Sequence, residues 1–120
     1  MLKVYVAGPY SANNVLDVLR NIGRGEKTCA TLFHLGYAPF CPWHDKSYVM
    51  DLSHIKLTVD QFREHSIAWL KVSDAMFVHR FDSNSVGLRA EIKIAKECGI
   101  PVFYNLTDLR EYRKNRIVPS

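Results

Sequence analysis

Ser85, Gly87 and Glu91 stand in the order S-x-G-x-x-x-E at the start of a helical run. At ~100° per residue, Leu88, Ile92 and Ala95 point one way, and Ile94 and Cys98 widen that arc. Arg89, Lys93, Lys96 and Glu97 take the opposite face, and Glu91 falls near the middle of the apolar arc. An inward carboxylate is costly unless it ionises in a polar cleft or finds a partner. Gly87, one turn earlier on the same side, removes the side chain that would cover it. The pair reads as a carboxylate under a space large enough for a ligand. The alternative is a buried glutamate paired with Arg80 or His79. Ser85-Val86-Gly87 would open the helix, where a hydroxyl and free N–H groups suit a phosphate.

Other residues could join this chemistry. Ser66 lies on the inner stripe of a preceding helix with His65 at its edge. Its hydroxyl could contact a sugar or base, or simply bond its own backbone. Tyr10 or Trp43 could stack on a base. Cys41, His44 and Asp45 form C-x-x-H-D without the second ligand pair of a zinc site, so no metal is expected. Cys29, Cys41 and Cys98 are widely spaced, lack C-x-x-C and read as free thiols without a disulfide framework. No G-x-x-x-x-G-K-[ST] occurs, and no G-x-G-x-x-G follows a strand, so no nucleotide cofactor is expected either.

Elements must position these groups. Apolar runs Leu2–Ala7, Tyr37–Phe40, Ala75–His79 and Pro101–Tyr104 lack clean alternation and suit strands buried on both faces. Helical patterns lie between them. The first is Asn13–Leu35, with Leu19, Ile22, Cys29, Leu32 and Phe33 inward. The second starts at Thr58 with Gln61 as capping-box partner, and turns Val59, Phe62, Ser66, Trp69 and Ser73 inward. The third runs from Ser85 to Cys98 and stops at Gly99; a fourth covers Thr107–Lys114. The expected fold is α/β: a three-layer, doubly wound, Rossmann- or flavodoxin-like parallel sheet of four to five strands, in one domain over residues 1–120. Ligands of such sheets collect beyond the carboxyl ends of the strands, here at Gly8-Pro9-Tyr10-Ser11, Pro42–Asp45, Arg80–Asp82 and Asn105. Cys41–Leu57 is the long irregular stretch, room for a functional loop or a small extra element.

The chain has 120 residues with 48% hydrophobic and 23% charged, which excludes a disordered chain. No apolar run approaches the ~20 residues of a membrane span, and the first ten residues read as a strand, not a signal peptide, so a cytoplasmic location is expected. The net charge of +4 gathers partly at Arg110, Arg113, Lys114 and Arg116. That segment reads as a solvated tail; it lacks a groove-reading element, and nucleic acid is not the expected partner.

Together VYVAGPYS, GYAPFCP, AWLKVSDA, S-x-G-x-x-x-E and GIPV, in this order, resemble the nucleoside 2-deoxyribosyltransferase-like superfamily across nearly the whole chain. It includes the transferases, the 2′-deoxynucleoside 5′-monophosphate N-hydrolases and bacterial and phage relatives. The resemblance implies Glu91 as nucleophile and a nucleotide bed at Gly8, Pro9, Tyr10 and Ser11. It also implies Ser85 at the phosphate end and His44 near the base, with Gly87 part of the matched motif and Asn21 in the first helix. Homodimers or larger assemblies are implied as well. One departure stands out: an aspartate common in active members, eight residues before Asp74, is here Ser66. Its sugar-contacting and base-releasing task would fall to Ser66 itself, to His65, or to His44 and Asp45. The implied activity is N-glycosidic cleavage of a (deoxy)nucleoside 5′-monophosphate. A transferase on free nucleosides or a non-catalytic nucleotide sensor are the alternatives.

Overall fold

The computed structural model describes residues 1–45, 48 and 56–117. The elements run β1 (Lys3–Ala7), α1 (Val15–His34), β2 (Ala38–Phe40), a 3-10 turn (Pro42–Asp45) and α2 (Val59–Lys71). Then come β3 (Ala75–Val78), α3 (Val86–Glu97), β4 (Val102–Phe103) and α4 (Leu106–Ile117). The strands form one parallel sheet in the order β2-β1-β3-β4. In register, Val4 lies opposite both Pro39 of β2 and Ala75 of β3, and Phe77 lies opposite Phe103. The doubly wound α/β class expected from alternating strand and helix patterns is the one observed, with four strands.

Successive residues of a strand point to opposite faces. In the central strands this splits the core in two. Val4, Val6, Ala75 and Phe77 pack with Ile22, Cys29, Leu32 and Leu109, the side of α1 and α4. Tyr5, Ala7, Met76 and Val78 pack with Leu70, Leu88, Ile92 and Ala95, the side of α2 and α3. The continuous burial of both central strands explains why their sequences do not alternate. It also aims Tyr5 at α3.

The helix ends follow the local signals. Asn14 and Thr58 cap α1 and α2 through side-chain oxygens, Thr58 with Gln61 in a reciprocal box. Gly36 and Gly99, at φ +92 and +72, let the chain turn off α1 and α3 in a conformation that a side chain would strain.

Several inward assignments need correction. Leu19 and Phe33 are exposed; the buried stripe of α1 is Ile22, Gly25, Cys29 and Leu32. On α2, Val59 and Trp69 are exposed and Leu70 is the buried residue, while Phe62, Ser66 and Ser73 are half-buried. The basic segment is not a free tail. Arg113 donates to the Leu35 carbonyl at 2.7 Å and lies 4.0 Å over the Tyr37 ring. Arg116 donates to the Tyr112 hydroxyl and pairs with Asp74 at 3.7 Å. In the Cys41–Leu57 stretch the turn Pro42–Asp45 is the described element, and most of the remainder lies outside the described residues. Among the described residues no helix is long and apolar enough to cross a membrane.

Candidate active site

Glu91 projects from α3 toward the sheet, where β1 presents Tyr5. Its Oε2 is sealed from solvent without a hydrogen-bond partner, although the residue as a whole is half-buried. Among the described residues no cation lies within ion-pair distance, so the pairing with Arg80 or His79 is not formed. Burial, which penalises the charged form, lifts the carboxyl from about 4.5 to about 7. The Tyr5 hydroxyl opposes that rise, and the Cys41 thiol adds to it. The Tyr5 hydroxyl lies close enough to interact with Glu91 and Ser66 but outside the geometry of a formed hydrogen bond. Burial and the neighbouring carboxylate push the phenol above its ordinary range, so it stays a donor. Gly87 is exposed and meets nothing within 4 Å where a side chain would begin, so its position opens to solvent, and neither Gly87 nor Glu91 lines either of the two cavities described below. The sequence pointed to Glu91, Gly87 and Ser66 as neighbours, but not to Tyr5. Its signal was a polar-tipped ring in the middle of a buried strand.

A second group gathers at the carboxyl ends of β1 and β3, where the order of strands reverses direction. A cavity of about 350 Å³ is lined there by Pro9, Ser11, Asn21, Arg20, Arg24 and Arg80, with Asp17 and Asp82. Arg20 pairs with Asp17 at 3.3 Å, and Arg24 donates to Asn21 Oδ1 at 3.2 Å. Arg80 has no ion-pair partner among the described residues. Three guanidinium groups against two carboxylates leave a cationic lining that suits an anion. The sequence reading placed Arg80 at a strand end where ligands collect, but missed Arg20 and Arg24. Arg20 and Arg24, four apart beside the first loop, were the available signal.

His79 borders this second group. Its ring packs over Gly8, where even a methyl group would collide with it, and against Tyr10 at 5.6 Å. Its Nε2 is buried and unpartnered. Burial, then Arg24 and Arg80, lower its pKa and hold the ring neutral. Tyr10 is less available than expected. It is 6% exposed, donates to the Val6 carbonyl at 3.1 Å, and packs edge-on to Trp43. Trp43, half-buried, keeps more of its ring open. Ser85 serves as the N-cap of α3, accepting from the Leu88 N–H at 3.3 Å, so its oxygen is already engaged.

A third group surrounds His65. Asp45, buried, holds His65 Nδ1 at 3.1 Å from its Oδ2. With Nδ1–H donating to that carboxylate, Nε2 is left to exchange protons. The pair borders a cavity of about 180 Å³ that also has Tyr48, Leu57, Gln61 and Phe62 in its walls. Phe40 connects this region to the first, its ring 5.7 Å from Tyr5 and 6.5 Å from His65. His44 packs edge-on against Phe40, and its donor nitrogen lies within 4.8 Å of the Cys29 and Cys41 sulfurs. A hydrogen bond from Cys29 pulls the Cys41 thiol down to about 6 and raises that of Cys29. The expected site residues thus fall into linked clusters around the strand ends rather than into one enclosed hole.

A family model described as a domain of unknown function, DUF7768, matches residues 2–105. No curated protein matches the sequence. Among solved structures, a 2-deoxyribosyltransferase from the psychrotolerant bacterium Bacillus psychrosaccharolyticus is similar, with a TM-score of 0.60 and 19% identity. The similarity covers 83% of this chain and 69% of that one, so the two share a fold.

Proposed function

The chain belongs to the DUF7768 family, and we propose that it cleaves the N-glycosidic bond of a (deoxy)nucleoside 5′-monophosphate with Glu91 as nucleophile. One observation carries the reading: a half-buried Glu91 that faces Tyr5, with its Oε2 sealed from solvent and unpartnered. A carboxylate held this way without an ion pair is costly unless it has a task. The 2-deoxyribosyltransferase fold of the similar structure supports the same chemistry.

The ionised Glu91 carboxylate attacks C1′ while the C1′–N bond breaks and its electron pair leaves with the base. A glycosyl ester on Glu91 results. Water then attacks C1′ and gives its proton to His65, which delivered one to the base, Glu91 departs as the carboxylate, and the sugar phosphate is released. Tyr5, whose hydroxyl faces the carboxylate, would donate to it on ionisation and steady its charged form. Ser66 puts a hydroxyl where active relatives of the resembled superfamily carry a carboxylate. Proton delivery to the leaving base therefore falls to His65, oriented by Asp45. The phosphate lies among Arg20, Arg24 and Arg80 rather than at Ser85, because the arginines line a cavity and the Ser85 oxygen is engaged. That anchoring would hold the sugar in place. Exposed Val59, Trp69 and Val72 on and after α2 favour the homo-oligomer implied by the resemblance.

Ser66 also favours a second reading, a nucleotide sensor that binds without turnover. Incubation with paired nucleosides and nucleoside 5′-monophosphates, with free base followed by chromatography, separates the cases. Base released from the monophosphates in water supports the hydrolase. Release only with an acceptor base present supports a transferase. Micromolar binding with no release from any substrate supports the sensor and defeats the enzymatic reading.

A further inference from the structure

We propose that Cys29, Cys41 and His44 form a binding site for a borderline-soft divalent metal ion of the zinc class. The three donors come from separate elements: the buried face of α1, the residue after β2, and the 3-10 turn. All their donor atoms lie within 4.8 Å of one another. Tetrahedral zinc, with bonds of ~2.3 Å to sulfur and ~2.0 Å to nitrogen, sets sulfur–sulfur and sulfur–nitrogen separations of roughly 3.8 and roughly 3.5 Å. Closure therefore asks for movement of roughly 1 Å, and exposed His44 is free to make it.

The chemistry of the donors selects the ion. Two thiolates and a neutral imidazole favour zinc-like ions over calcium or magnesium, which take oxygen ligands. Their charge of two minus balances a divalent cation, so the loaded site is neutral where the cysteines are sealed in the core. The Tyr10 hydroxyl, 3.4 Å from Cys41 Sγ, is placed to turn its proton from the Val6 carbonyl to the bound thiolate as an outer-shell partner. Gly25 permits that placement, because a side chain there would meet the Tyr10 hydroxyl at 2.6 Å. Three protein ligands leave a fourth position, on the solvent side of His44, for water or another exchangeable group.

The location gives the site a consequence. The ion would tie the turn that carries Trp43 and Asp45 to α1, and Asp45 orients His65. Metal binding would brace one wall of the candidate active site. The inference is independent of the glycosidic reading, and its test does not measure turnover.

Reduced, chelator-stripped full-length protein is titrated with Co²⁺. The expected result is one ion per chain, with a sulfur-to-cobalt charge-transfer band and the visible bands of tetrahedral coordination, displaced by Zn²⁺. Cys98→Ser, at an exposed cysteine, should behave as wild type. Cys41→Ser should lose most of the charge-transfer intensity, and His44→Ala should weaken binding by about tenfold or more. Because His44 is exposed, that variant keeps its fold and carries the test even if the cysteine variants do not. Zn²⁺ should raise the melting temperature of wild type and not of His44→Ala. Absence of the bands, or equal binding by wild type and His44→Ala, would overturn the proposal.

Discussion

The Tyr5 hydroxyl faces the Glu91 carboxylate across the α3 side of the sheet, and Glu91 Oε2 has neither solvent nor a hydrogen-bond partner. A central strand thereby supplies the floor of the candidate site. The arrangement makes the ionisation of Glu91 the quantity that links stability to activity.

Burial holds the Glu91 proton in the fold up to about pH 7, against about 4.5 for the ordinary group. Between those values the folded chain binds more protons than the unfolded chain, so stability falls as pH rises. The loss reaches roughly 3 kcal/mol above pH 7. Glu91→Gln removes this penalty. Its denaturation midpoint should exceed that of wild type above pH 7, and the gap should close toward pH 4.5. A variant less stable than wild type at pH 8 would contradict the sealed environment.

Tyr5→Phe deletes the group that opposes the rise in the Glu91 pKa. The acid limb of the kcat profile, near pH 7 in wild type, should move to higher pH. At neutral pH kcat should fall roughly three- to tenfold while activity recovers in alkali. A uniform loss at all pH values would assign Tyr5 to packing alone.

Arg80→Ala tests the anion site, since Arg80 lines the cavity and has no ion-pair partner among the described residues. The KM for nucleoside monophosphates should rise about tenfold, less at high salt, with nucleosides little affected. Equal effects on both substrate types would remove the phosphate from this cavity.

Gly25→Ala places a methyl group against the buried Tyr10 ring, whose hydroxyl would stand at 2.6 Å. The ring is held by Val6, Trp43 and His79 and has little room to yield. Chemical denaturation should show a loss of about 1–3 kcal/mol. Gly23→Ala, which meets nothing within 4 Å, should cost nothing and serves as the control.

Much of this fold is legible in the sequence because strand runs, caps and glycine stops are local signals. Thr58 with Gln61, and Gly99 after α3, mark their helices directly. Glu91 and Gly87 are legible because one helix fixes their relation. Failures occur where partners come from different elements. Leu19 and Phe33 fit a helical stripe, yet the sheet contacts α1 along Ile22, Cys29 and Leu32 and leaves them exposed. Tyr5 reads as core until the fold sets it against Glu91. The same holds for Cys29, twelve residues from Cys41, and for Asp45, twenty from His65. The second partner is invisible until the chain has folded.

The most direct test of the central claim compares wild type with Glu91→Gln for free-base release from nucleoside 5′-monophosphates at pH 8. The account predicts release by wild type and a loss of at least about a thousandfold in the variant, because the amide cannot form the glycosyl ester. Release by Glu91→Gln at the wild-type rate would contradict it.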